Sequence, residues 1–344
     1  MKAAVTAAVG GPVDVVEVPD PERRSGEILV RVRAASVNRL DRMVFDRGFG
    51  PGGAVAFPLV QGIDAAGVVE QGSGSMPTGH RVVVKPSIAC RRCRWCRAGR
   101  TADCIDPTSF GIDRQGGFAE LVAVPRGNLV KLPDEVSFTS GAAAAHTHAV
   151  VLRMIRAAGE LPPDPVTMVT GAGGALGTAA VQLAAALGHR VIAVASTDEK
   201  LLATRDLGAL VGLNRVSGDL VDDVMASTDG VGVDLVLETT GAEAVLSESH
   251  RSLGRGGALV LVAATPGATL ELSALETYRS RHRIVGSANS NASDFSDVYR
   301  LMAEHDIEPV VAQTFRLDDA AAAMDAVTDR NRIGKIVIEM EDGT

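Results

Sequence analysis

The sequence predicts an α/β protein of two domains, the first rich in β structure and the second a doubly wound parallel sheet. Three observations carry that expectation. Short segments with apolar residues on alternate positions fill the first 140 residues. From about Ser140 strands alternate with helices, the pattern of a parallel sheet with crossover helices. A glycine-rich loop, residues 171–177, stands between a predicted strand and a predicted helix. Composition agrees, since 46% of the 344 residues are hydrophobic and 22% charged, which excludes wholesale disorder.

Met1 to Val9 holds one lysine and a short apolar stretch; Gly10-Gly11-Pro12 and alternating Val, Asp and Glu then make it a first β-hairpin rather than a signal peptide. Glu27 to Val37 alternates like a half-buried strand, and Gly62–Val69, Arg81–Lys85 and Phe118–Pro125 repeat the pattern between Gly- and Pro-rich turns. Asp41 to Pro58, with Phe45, Phe49 and four glycines, reads as a long loop, and loops of that length are often functional. Aromatics are only 3%, so Val, Ala, Leu and Ile must fill the core. In the second domain, strands are expected at Val166–Thr170, Val191–Ala195, Leu210–Leu213, Val233–Leu237 and Ala258–Ala264. Helices are expected at Thr178–Leu187, Glu199–Leu207 and around Ala242–Leu253. After Gly286 come helices at Phe295–Glu304 and Asp318–Val327 and a last strand, Lys335–Met340, expected to return to the first domain.

The loop Thr170-Gly-Ala-Gly-Gly-Ala-Leu-Gly177 suits a dinucleotide, with Gly171, Gly173, Gly174, Ala175, Leu176 and Gly177 as candidate contacts. Glycines at 171, 174 and 177 serve a tight turn, close approach of a pyrophosphate and close helix–strand packing. The following helix start presents free N–H groups to phosphate. The second strand ends Val194-Ala195-Ser196-Thr197 with no acid at its tip, while Lys200 and Arg215 lie nearby. A hydroxyl with cations suits a 2′-phosphate, so NADPH is favoured over NADH. Asp198 is the counter-argument, and Lys200 and Arg215 also read as solvated surface charges.

All four cysteines fall in Cys90-x2-Cys93-x2-Cys96-x7-Cys104. Four thiolates so spaced can wrap one zinc in a closed, structural site. Disulfides, free thiols with a lost metal, and an iron–sulfur cluster are the alternatives. Arg91, Arg92, Arg94, Arg97, Arg100 and Trp95 surround the sulfurs, either shielding thiolate charge or forming a basic finger that touches nucleic acid. The net charge of −8 argues against nucleic acid as the main partner. No apolar run reaches the roughly 18 residues of a membrane helix, and a cytoplasmic protein is expected.

These features together resemble the medium-chain dehydrogenase/reductase superfamily, which includes zinc alcohol dehydrogenases and quinone oxidoreductases. The resemblance rests on the four-cysteine lobe, the 171–177 loop with Ala180-Val-Gln-Leu-Ala184, Gly116-Gly-Phe-Ala-Glu120 and the terminal Gly334-Lys335-Ile-Val-Ile338. It implies a GroES-like β-barrel domain at 1–144 with the zinc lobe at 90–104, a Rossmann NADPH-binding domain at 145–288, and a C-terminal return, 289–344, to the catalytic domain. It places the active site in the cleft between the domains. It also implies a homodimer or homotetramer through the sheet edge near Arg283 to Ala288.

The zinc alcohol dehydrogenases hold a second, catalytic zinc by a Cys, a Gly-His-Glu segment and a further Cys. Here those positions read Asn38, Gly62-Ile63-Asp64 and Ala143, and Leu40 replaces the hydroxyl relay. One carboxylate does not make a zinc site, so the acceptor must already be electrophilic. Asn38-x-x-Asp41 and Gly62-x-Asp64 resemble the quinone-oxidoreductase branch. Asn38 and Asp41 are thus the candidate catalytic pair, the Asn38 amide either donating to a developing enolate or quinol oxygen or holding a loop or the ribose. Thr147 resembles the family's nicotinamide contact and Arg39 its pyrophosphate contact. Phe45, Phe49, Ile63 and Tyr278 are candidate substrate contacts, with core packing the equal alternative for Phe45, Phe49 and Ile63; the proton comes from water or from Tyr278, His146 or His148, the two histidines also reading as packing or capping residues. The expected function is an NADPH-dependent reductase of quinones or α,β-unsaturated carbonyls with one structural zinc and no catalytic zinc. A retained zinc lobe departs from the better-known quinone reductases and leaves room for a specialised C=C or C=N reduction. The alternatives are a zinc alcohol dehydrogenase or ketone reductase with displaced ligands, and a nucleotide-gated nucleic-acid-binding protein using the arginine-rich lobe.

Overall fold

The computed structural model describes residues 1–50 and 53–341. Pro51 and Gly52 of the anticipated long loop, and the last three residues of the expected 289–344 segment, lie outside the described residues. The chain forms two compact units, Met1–Ala149 with the chain from Asn289 onward, and Val150–Ala288.

In the first unit the hairpin β1 (Lys2–Thr6) and β2 (Val13–Glu17) precedes the long strand β3 (Glu27–Val37). Next come the helix α1 (Arg39–Arg47) and the strands β4 (Ala65–Gln71), β5 (Arg81–Val84), β6 (Leu121–Pro125) and β7 (Leu129–Lys131). The helix α2 (Phe138–Ala157) carries the chain into the second unit. There β8 (Val166–Thr170), α3 (Ala175–Ala186), β9 (Arg190–Ala195), α4 (Asp198–Asp206), β10 (Ala209–Asn214) and α5 (Leu220–Ser227) alternate. They are followed by β11 (Val233–Glu238), α6 (Glu243–Arg251), β12 (Leu253–Leu261), α7 (Ala274–Ser280) and β13 (Arg283–Gly286). The chain then re-enters the first unit as α8 (Ala292–Glu304), β14 (Val311–Arg316), α9 (Ala320–Ala326) and β15 (Lys335–Glu339).

The main sheet of the first unit runs β7-β5-β4-β3-β15-β14, with β6 also paired to β3. β15 pairs antiparallel with β3, so the last strand does return to the first domain's sheet. Its alternating Val and Ile residues build the core with only two large aromatics, Phe110 and Phe118, wholly buried in it. The second unit is a parallel sheet in the order β10-β9-β8-β11-β12-β13, a doubly wound arrangement.

Three expectations needed correction. The segment from Asp41 is no long loop at its start, because Asn38 and Asp41 form a capping box that nucleates α1 and Gly48, at φ 62, closes it. The strand expected from Gly62 begins at Ala65, since Gly62 sits at φ 96 with Phe118 crowding it, and no Cβ fits there. His146 and His148 lie in the middle of α2, not at a helix start, because the alanine run 142–145 is helical. Two helices, α5 and α7, fall where none was expected.

Candidate functional site

Strand register assembles a buried polar cluster in the first unit. β3 and β4 pair up to Ala34↔Ala66, so Ser36 and Asp64 oppose each other just beyond. β3 and β15 pair up to Val37↔Ile336, so Asn38 opposes Lys335. Residues two apart share a face, and these four side chains meet on one face of the sheet. Ser36 Oγ donates to Asp64 Oδ2 at 2.6 Å and Asn38 Nδ2 donates to the same oxygen at 2.8 Å. Lys335 Nζ donates to Asn38 Oδ1 at 2.7 Å and stands 3.7 Å from Asp64 Oδ2. All four are buried, and Asp64 Oδ1 is left without a hydrogen bond among the described residues. Burial lowers the Lys335 pKa, while Asp64 and Asp41 oppose the shift.

Asp41 and Asn38 are positioned differently from the catalytic roles expected of them. Asp41 is fully buried, and its carboxyl accepts the backbone N–H groups of Asn38 at 2.8 Å and of Gly62 and Ile63 at 3.2 Å each. Burial, reinforced by Asp64, pushes its pKa up to about 7. It is therefore a clamp that holds the 62–64 segment against α1. The Asn38 amide also has no free donor, since Nδ2 serves the Ser36 carbonyl at 3.3 Å besides Asp64. It orients Lys335 and Asp64 and cannot donate to an oxyanion as expected.

Other expected residues disperse. Ile63 is 2% exposed in a small core with Val44, Leu59 and Ile112, so it is packing rather than substrate wall. Phe45 packs partly against the barrel core with Arg42 stacked 5.0 Å from its ring centre, whereas Phe49 is 57% exposed. Tyr278, on α7 of the second unit, is 79% exposed. Arg39 is exposed beside the start of α1. Thr147 is buried, its hydroxyl donating to the Ala143 carbonyl at 3.0 Å and lying 3.2 Å from His148 Nδ1. Buried and so engaged, His148 is excluded as a proton donor. His146 differs, being half-buried with its pKa lowered by burial while the charges of Asp64, Lys335 and Lys85 act on it.

Sequence reasoning read Lys335 and Lys85 only as strand residues and did not foresee that either is buried. Lys85 is buried, which draws its ammonium down to about 8. The available signal was a lysine closing a run of valines, Arg81-Val-Val-Val-Lys85.

The second unit holds the glycine loop between β8 and α3 as expected. Gly171 takes φ 62, Ala172 N–H binds the Val194 carbonyl at 3.0 Å, and Gly174 caps α3. The first-turn N–H groups of Ala175, Leu176 and Gly177 lack intrahelical acceptors and are available to phosphate. A Cβ on Gly177 would lie 2.1 Å from the Gly171 carbonyl oxygen, and one on Gly173 would meet the Lys200 stem at 2.7 Å. Lys200 thus crosses the loop. Ser196 is exposed at the end of β9. Asp198, the potential ribose acid, accepts from Asn214 Nδ2 at 2.7 Å. Arg215 N–H binds the Ala195 carbonyl at 3.0 Å, and its Nε is buried with no hydrogen bond among the described residues. Glu238, also unforeseen, is wholly buried and ties Thr170 Oγ1 at 3.1 Å to the backbone of Thr240 and Gly241, bracing the loop from below.

The four cysteine sulfurs lie within 4.8 Å of one another, and all are free thiols. Among the described residues they are the only group of three or more potential metal ligands so converged. Backbone donors pull Cys93 down to about 6, while burial and then neighbouring sulfurs push Cys96 up to about 12. Four sulfurs at this spacing could ionise together only around a dication, and an all-sulfur donor set suits zinc. The Ala102 N–H donates to Asn291 Oδ1 at 3.0 Å, tying the lobe to the start of α8. Arg94 and Arg100 stack on Trp95 at 4.5 and 4.4 Å. Arg92 pairs with Asp106 and Arg100 with Asp103. Most of the lobe's arginines thus have internal partners.

Comparisons with known proteins agree with this geometry. The pattern of the alcohol dehydrogenase GroES-like domain matches residues 24–134, and that of zinc-binding dehydrogenases matches 175–304. A solved NAD-dependent alcohol dehydrogenase superposes with TM-score 0.91 and 31% identity over 99% of this chain and all of that one. An acryloyl-coenzyme A reductase of Metallosphaera sedula is 29% identical over 342 residues, 98% of this chain and 99% of that protein. A zinc-binding dehydrogenase from Sinorhizobium meliloti, solved with NADP, superposes with TM-score 0.89 and 27% identity over 98% of each chain.

Proposed function

Because the chain belongs to the zinc-binding dehydrogenases of the medium-chain dehydrogenase/reductase superfamily, we propose that it is an NADPH-dependent reductase that passes hydride to a quinone or an α,β-unsaturated carbonyl without a catalytic zinc. The observation that carries this reading is the closed Asn38–Asp64–Lys335 cluster. Where the zinc-dependent relatives have sulfur and imidazole ligands, this chain offers an amide, an isoleucine and an alanine, and its one carboxylate is already balanced by an ammonium. That donor set does not suit a zinc that polarises an alcohol or ketone. The likeness to an acryloyl-coenzyme A reductase supports a conjugated C=C as the acceptor.

Arg215, with an unpaired buried Nε, and Lys200 across the loop supply donors for a 2′-phosphate, while Asp198 is engaged by Asn214. Binding of NADP by the Sinorhizobium relative is consistent with that choice. When bound, NADPH supplies the hydride. The chain's own part is to seat the pyrophosphate on the start of α3 and to hold the 62–64 segment rigid through Asp41. A structural zinc would be held by Cys90, Cys93, Cys96 and Cys104, and a homodimer or homotetramer would use the edge strand β13. Oxidation of NADPH is expected with 9,10-phenanthrenequinone and with 2-enones, at one zinc per chain. Zinc-dependent ethanol oxidation with no turnover of activated acceptors would refute the reading.

A further inference from the structure

The strand order of the second unit reverses between β8 and β11: the chain runs outward from β8 to β9 and β10, then crosses back and runs outward again from β11. In open parallel sheets ligands bind outside the carboxyl ends of the strands at such a reversal. The β8–β11 ladder ends at Val169↔Leu237, so the next residues, Thr170 and Glu238, stand side by side at that place. Thr170 leads into the glycine loop. Glu238 leads into a second turn, Thr239-Thr240-Gly241, ahead of α6.

Glu238 is wholly buried and forms no ion pair among the described residues, so neutral donors alone meet its charge. Oε1 accepts the Thr170 hydroxyl at 3.1 Å, the Thr240 N–H at 2.9 Å and the Thr240 hydroxyl, and Oε2 accepts the Gly241 N–H at 3.0 Å. A carboxylate taken out of water is costly unless so bonded, and here the donors come from both turns. Thr170 is held a second time, because its hydroxyl also accepts the Thr239 N–H at 3.1 Å and its carbonyl accepts the Thr239 hydroxyl at 2.7 Å. The next residue, Gly171, sits at φ 62, and a Cβ there would lie 2.9 Å from Thr239 Oγ1 and 2.9 Å from Thr240 Cγ2. The two threonines therefore press on the first glycine of the loop. The carboxylate fixes where they stand, and the far side of their turn is tied by the Thr265 N–H, which binds the Gly241 carbonyl at 2.8 Å.

We propose that Glu238 is a positioning residue for the dinucleotide: by binding both turns at once it sets the conformation in which Gly171 and the start of α3 receive the pyrophosphate. The inference rests on the cofactor part of the reading above and on nothing in the acceptor chemistry. Glu238 acts through Thr170, Thr239 and Thr240, since with no exposed surface it reaches no ligand itself. A carboxylate acting through its charge alone would repel a phosphate, so its removal would tighten binding. Positioning predicts the opposite sign.

The test compares wild type with two variants that preserve shape. Glu238→Gln removes the charge, and its amide NH2 cannot accept the Gly241 N–H that Oε2 now accepts. Thr170→Val removes the hydroxyl shared by Glu238 and Thr239. In each, fluorescence titration should show the NADPH Kd raised about tenfold. Competition should show that of adenosine 2′-phosphate, which carries no pyrophosphate, changed less than about twofold. An NADPH Kd within about threefold of wild type in either variant overturns the inference, as does tighter binding by Glu238→Gln. Equal weakening of both ligands with a fall in melting temperature also overturns it, since Glu238 would then be a strut of the whole unit. If wild type binds NADPH but reduces no enone or quinone, the reductase reading fails and the comparison still decides the role of Glu238. If wild type prefers NADH, the choice of NADPH fails, and NADH with adenosine makes the same comparison. A wild type that binds neither dinucleotide overturns both.

Discussion

At the scale of single residues, Asn38 and Asp41 answer each other's backbones at the start of α1, and the N–H groups of Gly62 and Ile63 complete the arrangement. The resemblance to the quinone-oxidoreductase branch made both residues look catalytic, with a loop-holding Asn38 as the alternative. Burial decides between the two, since a carboxyl with no exposure cannot reach a substrate. It also gives a pH signature. Asp41 keeps its proton up to about 7 in the folded chain, against an ordinary value of 3.8. The native state therefore binds more protons than the unfolded state between those values, and stability from this group falls as pH rises through that window. The span corresponds to about 4 kcal/mol. Melting curves from pH 4 to 8 should show that loss in wild type and a flatter profile in Asp41→Asn. The variant should also melt lower throughout, its amide NH2 facing backbone N–H groups. Parallel pH profiles for the two proteins would count against the assignment.

Among the elements, the β8–α3 turn was fully legible, because glycine spacing between a strand and a helix is a local property and the dinucleotide loop needs no distant partner to form. Its tolerance is equally local. Gly177→Ala would put a Cβ 2.1 Å from the Gly171 carbonyl oxygen, so strand and helix must separate. The expected cost is about 1–3 kcal/mol of stability, with NADPH affinity reduced at least tenfold by fluorescence titration. Wild-type affinity in that variant would show that the loop does not seat the pyrophosphate. α1 was less legible: its polar, arginine-rich stretch Arg39–Arg47 lies in a glycine-rich neighbourhood, and its start depends on the side chains of Asn38 and Asp41 turning back on the chain. Nor was the end of β9 decided by its sequence. Asp198 and Arg215 both lie near it, and only the fold shows that Asp198 accepts from Asn214 while the Arg215 Nε is buried without a hydrogen bond among the described residues.

For the whole molecule, the cysteine lobe should act as a removable brace on the first unit, through the Ala102–Asn291 bond to α8. Stripping metal with a strong chelator should lower the melting temperature by roughly 5 °C or more, while NADPH binding by the Val150–Ala288 unit persists. An unchanged melting curve after complete metal removal would exclude the brace. The order of domains, the cysteine set and the cofactor loop all follow from spacing within short stretches, and the sequence alone was enough to determine them. The buried polar cluster did not follow in the same way. Lys335 bonds to Asn38 from 297 residues away, and Asp64 meets Ser36 through the register of β4 on β3. Hydrophobic alternation identifies a strand but not which residue of its neighbour it faces, and a slip of one residue would send every one of these side chains to the opposite face. Only the folded sheet, by selecting one register, could show that Asn38 and Asp41 are supports.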